Sequence, residues 1–363
     1  MKTEAQIAAA IAILDNILDG VPINKALIGW FRSNRFAGSK DRMQIRDYVF
    51  NSLRFKRSLL WSFGEHGLPK DGRALLLGLA HQKNMPIDEL FNGLGHGPRK
   101  ISEREKLVLS VMKSFLSNAP NPVKYDFPDF LEDELQRSLK EAFHEIINSL
   151  NARAGIFLRV NNLKSNVDEC KRILADENIW TEKCFGSQFG LKVVENKKRI
   201  EESQAFKKGK IEIQDISSQI AIEFISPDPG ISVLDFCAGG GGKSLAVASF
   251  LKGVGFFFAY DHKSERMNSI EKRMARADVT IKIIKKLELL PSIAKVDLVL
   301  VDAPCSGTGA WHRNPGSKWW LTQKKFQKLI NNQREILNSA SKFVHAGGKL
   351  AYMTCSILKR ENK

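Results

Sequence analysis

From residue 4 to about residue 117, apolar residues recur at spacings of three and four, as in Ile7, Ile11, Leu14, Ile17 and Leu18, and again in Ile45, Val49, Leu53 and Leu60. That period belongs to helices with one buried face, so residues 1–125 are predicted to form a helical domain. Asn118-Ala119-Pro120-Asn121-Pro122, followed by Pro128, breaks the pattern and marks a linker. Over 130–215 the pattern mixes. It predicts a helix over 130–150, a strand over 155–160, a helix over 166–176 and short strands at 191–194 and 210–214, together a small α+β module. From 216 to 363 the rhythm turns regular, with strands over 231–236, 255–260, 279–285, 296–302 and 347–353 and helices over 243–251, 263–276 and 321–343. Such alternation predicts an α/β domain with a doubly wound, Rossmann-like parallel sheet.

Composition narrows the class. A chain of 363 residues with 43% hydrophobic positions can bury several cores. No apolar run approaches the ~20 residues that span a bilayer. Ala8 to Leu14 follows Glu4 and runs into Asp15, which reads as an amphipathic helix and not as a signal peptide. Five cysteines without a CxxC pair argue against a disulfide framework and a structural zinc, so a cytoplasmic protein with no metal is expected. The net charge of +16 is uneven: from Gly241 onward there are 22 Lys and Arg against 9 Asp and Glu, or +13, which leaves +3 for the rest. A basic field of that kind over a cleft draws polyanions, nucleic acid above all.

Candidate chemistry lies in the basic half. Val233-Leu234-Asp235 reads as a buried strand, and Phe236-Cys237-Ala238-Gly239-Gly240-Gly241-Gly242 follows before a helix opens at Lys243-Ser244. The glycines allow a tight turn and close approach to a ligand. The turn has neither the Walker spacing nor a clean Gly-x-Gly-x-x-Gly. Asp261 ends the next strand, where an acid can bind a ribose diol or cap the helix that follows; the residues alone leave both open.

Two further segments end strands on the same side: Asp302-Ala303-Pro304-Cys305-Ser306-Gly307-Thr308-Gly309 and Thr354-Cys355-Ser356. Methylation of an exocyclic amine needs no thiol, because the amine attacks directly. Cytosine C5 becomes nucleophilic only after a thiolate has added to C6, with an acid such as Asp302 assisting at N3 and a base later removing the C5 proton. Cys305 and Cys355 are therefore read as reactive, and Cys170, Cys184 and Cys237 as small buried hydrophobes. Chemistry alone does not choose between the two thiols. Trp311, His312, Arg313, Trp319 and Trp320 interleave rings and charge in a way suited to stacking on unpaired bases or, for Trp319 and Trp320, to core packing.

These segments, together with Leu158-Arg159-Val160-Asn161, Gln214-Asp215-Ile216-Ser217-Ser218-Gln219 and Arg313-Asn314-Pro315, resemble the RNA cytosine-5 methyltransferases of the Sun, or Nop2/Sun-domain, family over roughly 155–363. The amino-terminal helices, with Phe36-Ala37-Gly38-Ser39-Lys40-Asp41-Arg42, resemble the NusB-like RNA-binding domain of bacterial 16S ribosomal-RNA members. The resemblance implies S-adenosyl-L-methionine as methyl donor, held by Cys237, Ala238, Gly239, Gly240, Gly241, Gly242 and Lys243, with Asp261 on its ribose and Arg266, Glu288 and Asp302 also at the cofactor. It implies Cys355 as nucleophile and Cys305 in product release, with Asp302 and Lys243 near the cytosine. DNA cytosine-5 enzymes attack with a Pro-Cys thiol, so the reversed assignment is the alternative. The implied partner is RNA, ribosomal first and transfer RNA second, bound by a monomer that engages no membrane.

The chain departs from the family in three places. It stops eight residues after Cys355, where members usually continue, so a carboxyl-terminally truncated sheet with Lys349 to Met353 as an exposed edge is expected. That carries the expectation of weak binding and poor methylation, or of a non-catalytic RNA-binding homologue. Glu288, after Lys285-Lys286-Leu287, stands where members commonly offer an acid to adenine, and Gly316 replaces the acid usual after Arg-Asn-Pro. A small-molecule methyltransferase is a further reading, against which the charge and the helical domain count.

Overall fold

The computed structural model describes residues 1–196, 199–286, 288–289 and 295–363. The helical period of the first part becomes the helices Thr3–Leu18, Ile23–Ser33, Ser39–Arg54, Lys56–Glu65, Gly72–Gln82 and Glu103–Ser117, whose apolar faces share one core containing Ile7, Leu14, Ile45, Leu53 and Val108. Gly72 is needed where two helices touch: a Cβ there would stand 2.5 Å from the Ile11 carbonyl oxygen. Asp71 caps its helix by accepting from the Ala74 amide at 2.8 Å, and Ser102 with Glu105 forms a reciprocal cap on Glu103–Ser117.

The single helix expected over 130–150 is two, Glu132–Leu139 and Phe143–Leu150. Lys140 between them has φ of 50°, a left-handed conformation that an α-helix does not accommodate. Leu135, Phe143 and Ile147 share a core with Phe326 and Ile330 of the late helix Gln323–Ala340.

An antiparallel sheet follows, of β1 (Ile156–Val160), β2 (Ile179–Lys183), β3 (Gly190–Asn196) and β4 (Ile211–Ile213) in the order β2-β3-β1-β4. The helix Val167–Asp176 shares a core with it through Cys170 and Leu174. A second, parallel sheet comprises β5 (Ser232–Asp235), β6 (Phe256–Tyr260), β7 (Lys282–Ile284), β8 (Val296–Asp302) and β9 (Val344–Met353), ordered β7-β6-β5-β8-β9. This is the doubly wound, Rossmann-like domain that the alternation predicts. The strand order reverses between β5 and β8, so a crevice opens there at the carboxyl ends. Among the described residues β9 pairs only with β8.

Buried polar side chains tie the parts together. Asn161, at the end of β1, donates to the carbonyls of Gly209 at 2.9 Å and Ala277 at 2.8 Å and accepts from Ser249 Oγ at 3.0 Å, so it joins the antiparallel sheet to the parallel domain. Lys318 is 1% exposed, and its ammonium donates to the Arg54 carbonyl at 2.9 Å and Asn151 Oδ1 at 3.0 Å while lying over the Trp311 and Trp319 rings. Burial alone would push this ammonium toward neutrality and brings it to about 8, with Asp126 opposing the shift.

This corrects the base-stacking expectation for Trp311 and realises the core-packing alternative for Trp319. Trp311 is 1% exposed inside a core, and Trp319 donates to the Leu53 carbonyl at 2.5 Å and packs on the helical domain, so neither is free to stack on a base. Gly316 sits against Ile23 and Leu53, an apolar seam in which the family's usual acid would be desolvated. Among the described residues no helix is long and apolar enough to cross a membrane, and no cluster of His, Cys, Asp and Glu is arranged to hold a metal.

Replacing Asn161 by Ala strands two buried carbonyls and a hydroxyl, and we expect a loss of about 1–3 kcal/mol in urea unfolding. Wild-type stability in that variant would show that the tie is dispensable.

Candidate active site

Parallel pairing sets the geometry. Asp302 stands opposite Met353 in the β8–β9 register, so Cys305, three residues on, and Cys355, two residues on, emerge side by side. Their sulfurs are 3.3 Å apart.

The motif residues around them stitch the two loops together. Gly307 takes φ of 69° to turn the first loop, and the Gly309 amide donates to the Cys355 carbonyl at 2.9 Å. A Cβ at Gly309 would stand 2.9 Å from that same oxygen, which is why glycine is required there. Thr308 Oγ1 lies 3.1 Å from Ser356 Oγ and accepts from the Ile357 amide at 3.1 Å; Ser306 Oγ reaches Ser356 Oγ at 3.2 Å.

Beneath them lies Glu361, 2% exposed, which accepts from the Ser306 amide at 2.8 Å, from Ser306 Oγ and from Gln333 Nε2 at 2.9 Å. Gln333 also donates to the Pro304 carbonyl at 2.9 Å. The peptide on each side of Cys305 is thus fixed from below. Sequence reasoning missed Glu361; its nearest signal is a carboxylate shortly after Thr-Cys-Ser, which looks like ordinary surface charge.

Electrostatics separate the thiols. The contact with Cys305 is the largest influence on Cys355 and brings its thiol down to about 7, against burial and Asp302 and with help from Arg313 and Lys243. The same contact, with burial, pushes Cys305 far above the ordinary thiol range. The two shifts run in opposite directions, so the electrostatics favour Cys355 as the first of the pair to ionise. Cys237 is half-buried on the cavity wall; desolvation first, and then the charges of Asp235, Asp261 and Asp302, push its thiol up to about 12. Lys243 pairs with Asp302 at 2.6 Å beside the cysteines.

Between the ends of β5, β6 and β8 lies a cavity of about 650 Å³ lined by Phe236, Cys237, Tyr260, Asp261, Arg266 and Pro304 together with residues of helix Gln323–Ala340. Asp261 is 3% exposed; it accepts from the Gly239 amide at 2.9 Å, the Lys263 amide at 2.9 Å and Arg266 at 3.0 Å. Oδ2 takes the Gly239 and Arg266 bonds and Oδ1 only the Lys263 bond, so Oδ1 keeps a lone pair for a ribose hydroxyl, and the cap and the ligand roles are compatible. A carboxylate at the end of the second strand, a glycine turn beside it and a cavity of nucleoside size fit a nucleoside methyl donor.

The other expected cofactor residues are placed as follows. Ala238, Gly239, Gly240, Gly241 and Gly242 form the turn beside the cavity, with φ of 50° at Gly239 and 77° at Gly241. A Cβ at Gly241 would stand 2.9 Å from the Ile270 side chain, so closeness to the next helix also demands glycine. Glu288 is exposed and does not line the cavity, although its charge reaches the Tyr260 phenol; Leu287 lies outside the described residues.

The turn is braced from the antiparallel sheet, which sequence reasoning also missed. Arg273 donates to the Gly240 carbonyl and to Glu212 of β4 at 2.9 Å, Arg276 pairs with the same Glu212, and Gln214 donates to the Gly242 carbonyl at 3.1 Å.

The fold is that of a Rossmann-like methyltransferase domain, with a pair of thiols past the carboxyl ends of β8 and β9. Residues 222–363 match the family model described as 16S rRNA methyltransferase RsmB/F, and residues 127–198 match the one described as Methyltr_RsmF/B-like, ferredoxin-like domain, 142 and 72 residues that together span 214 of the 363. Over these two segments the chain is similar to the RsmB/F methyltransferases.

Among curated relatives, a probable ribosomal RNA small subunit methyltransferase B of Synechocystis is 29% identical over 283 residues, 76% of this chain and 62% of the relative. A 28S rRNA (cytosine-C(5))-methyltransferase of Mus musculus is 28% identical over 81% of this chain and 38% of its own length. The chain thus spans less than two thirds of either. Of solved structures, that of PH0851 superposes with a TM-score of 0.73 at 24% identity, covering 99% of this chain and 87% of the other. NSun6 from Pyrococcus horikoshii, solved with SFG, superposes at 0.58 and 20% identity over 65% of this chain and 85% of its own.

Alkylation by iodoacetamide tests which thiol ionises first. Only the thiolate reacts, so the rate at Cys355 rises with pH and should reach half its plateau near pH 7. In Cys305→Ala the midpoint should move up toward 9, the ordinary thiol value. An unmoved midpoint would mean that the neighbouring thiol does not activate Cys355.

Proposed function

We propose that this protein methylates C5 of a cytosine in RNA, with ribosomal RNA as substrate, S-adenosyl-L-methionine as donor and Cys355 as the attacking thiolate. The observation that carries the proposal is the 3.3 Å pair of thiols, of which Cys355 ionises near neutrality, beside a nucleoside-sized cavity at the switch point of the sheet.

The Cys355 thiolate adds to C6 of the pyrimidine, and the displaced electron pair makes C5 nucleophilic. Asp302 and Lys243, paired at 2.6 Å, hold the ring edge: the carboxylate accepts from the exocyclic amine, and the ammonium donates to the ring carbonyl and so stabilises the negative charge that addition places on the ring until C5 takes the methyl group. The donor bound beside the glycine turn supplies an electrophilic methyl group, with Asp261 on its ribose.

Cys305 then takes its turn as base. Its proton is held largely because Cys355 is an anion next to it, and a neutral Cys355 thioether removes that cause. In the adduct Cys305 therefore loses its proton to solvent more readily; its thiolate takes the C5 proton, and the C6–S bond breaks with the electron pair returning to Cys355, which restores the starting thiol–thiolate pair. The reversed assignment would ask the more strongly protonated thiol to attack first, which the electrostatics disfavour. Ribosomal RNA is favoured over transfer RNA by the curated relatives named above, and the net charge of +16 suits either polyanion.

Incubation with labelled S-adenosylmethionine and unmodified ribosomal RNA should give 5-methylcytidine on nucleoside analysis. Cys355→Ser should give neither product nor adduct, and Cys305→Ser should accumulate a denaturation-resistant protein–RNA adduct. Methyl on another base atom, or an adduct formed by Cys355→Ser, would overturn the proposal.

A further inference from the structure

The cavity of about 940 Å³ between the helical domain, the start of β1 and the loop after Cys305 has no role in the chemistry above. Its lining carries six arginines against one carboxylate, Asp47. Arg42, Arg46, Phe50 and Arg54 recur every fourth residue along helix Ser39–Arg54, which puts them on one face. Like charges at that spacing repel and cost the free helix about 0.2–0.5 kcal/mol per pair. Such a stripe suits an anion that is not part of the chain.

The arginines differ in use. Arg54 is 5% exposed and spends its guanidinium on the Ala152 carbonyl at 2.8 Å and the His312 carbonyl at 3.1 Å, so it fixes the cleft floor to both neighbouring walls. Arg46 is exposed and has no ion-pair partner among the described residues. Among the described residues the ion-pair partner of exposed Arg153 is Asp47, at 3.1 Å, and those of exposed Arg199 are Glu201 at 3.8 Å and Glu202 at 4.0 Å, both loose. Arg313 closes the far end. It pairs with Asp215 at 3.2 Å, and its amide donates to the Ala310 carbonyl at 3.0 Å, next to Gly309, whose amide holds the Cys355 carbonyl at 2.9 Å, so this end of the cleft adjoins the loop that carries the reactive sulfur.

We infer that this cleft binds the ribose-phosphate backbone of an unpaired RNA strand flanking the target cytosine, with Arg46, Arg153 and Arg199 as its phosphate contacts and Phe50 as a surface against which a base can lie. The inference rests on the RNA substrate proposed above and names the path by which that substrate reaches Cys355. The walls come from three separate stretches of chain locked together by Arg54 and Lys318, so the cleft is formed before RNA arrives and little ordering is needed on binding. An unpaired strand fits because its backbone can follow the groove and its cytosine can turn toward Cys355 without breaking a pair.

The test compares two triple variants of the full chain: Arg46→Gln/Arg153→Gln/Arg199→Gln in the cleft and Lys83→Gln/Lys113→Gln/Lys342→Gln elsewhere on the surface, all exposed positions. Binding of a fluorescein-labelled single-stranded RNA is followed by anisotropy across a potassium chloride series. The cleft triple should bind at least tenfold more weakly and lose about 2 from the slope of log affinity against log salt, since each phosphate contact to a single strand contributes roughly 0.7. The surface triple should stay within threefold of wild type. A triple of Arg→Lys changes in the cleft should recover most of the slope, which a merely structural role of these arginines would not predict. Equal losses in the two Gln triples would overturn the cleft as the binding path. Wild-type protein that binds with these differences yet transfers no methyl group would overturn the proposed reaction and leave the cleft standing.

Discussion

The parallel pairing of β8 with β9 governs this molecule. Level placement of Asp302 and Met353 brings two loops from distant parts of the chain to a sulfur–sulfur distance of 3.3 Å. At that distance two thiols cannot ionise independently, because removing one proton makes the other hydrogen bond stronger and the second charge harder to create. A one-residue slip of β9 would turn its side chains to the opposite faces and part the thiols. The hydroxyls of Ser306, Thr308 and Ser356 and the carboxylate of Glu361 resist such a slip by closing the two loops on each other.

The same logic extends outward. Each layer of the site is held by the next: Gln333 and Glu361 hold the Cys305 loop, Arg273 holds the glycine turn, and Glu212 in the antiparallel sheet holds Arg273. Asn161 and Lys318 then join the three parts through buried hydrogen bonds to backbone carbonyls and side-chain oxygens. The helical domain is thereby fixed to the catalytic loop that carries Arg313, which makes a preformed RNA path physically reasonable.

What the sequence displayed clearly was whatever depends on local spacing. The parallel strands, the glycine turn and both cysteine motifs could be read because period, glycine and strand-end position are local signals. The break at Lys140 could not, since a lysine in a left-handed conformation carries no mark in the sequence. Neither could β2, whose Ile-Trp-Thr-Glu-Lys is too short and polar to announce a strand. Trp311 misled, and Trp319 stayed open between two readings, because rings interleaved with Lys and Arg look the same whether they face RNA or, as here, a buried ammonium. Glu361 and Glu212 were invisible because their partners lie about 55 and 61 residues away.

All of the chemistry proposed here depends on Cys355, not Cys305, holding the first negative charge. The direct measurement is a pH titration of the intact protein with cysteine labelled at 13Cβ, each resonance assigned by single Cys→Ser replacement. The account predicts a Cys355 signal with its midpoint near 7 and a Cys305 signal that does not move below pH 9. Two signals titrating together near 9, or Cys305 titrating first, would contradict it.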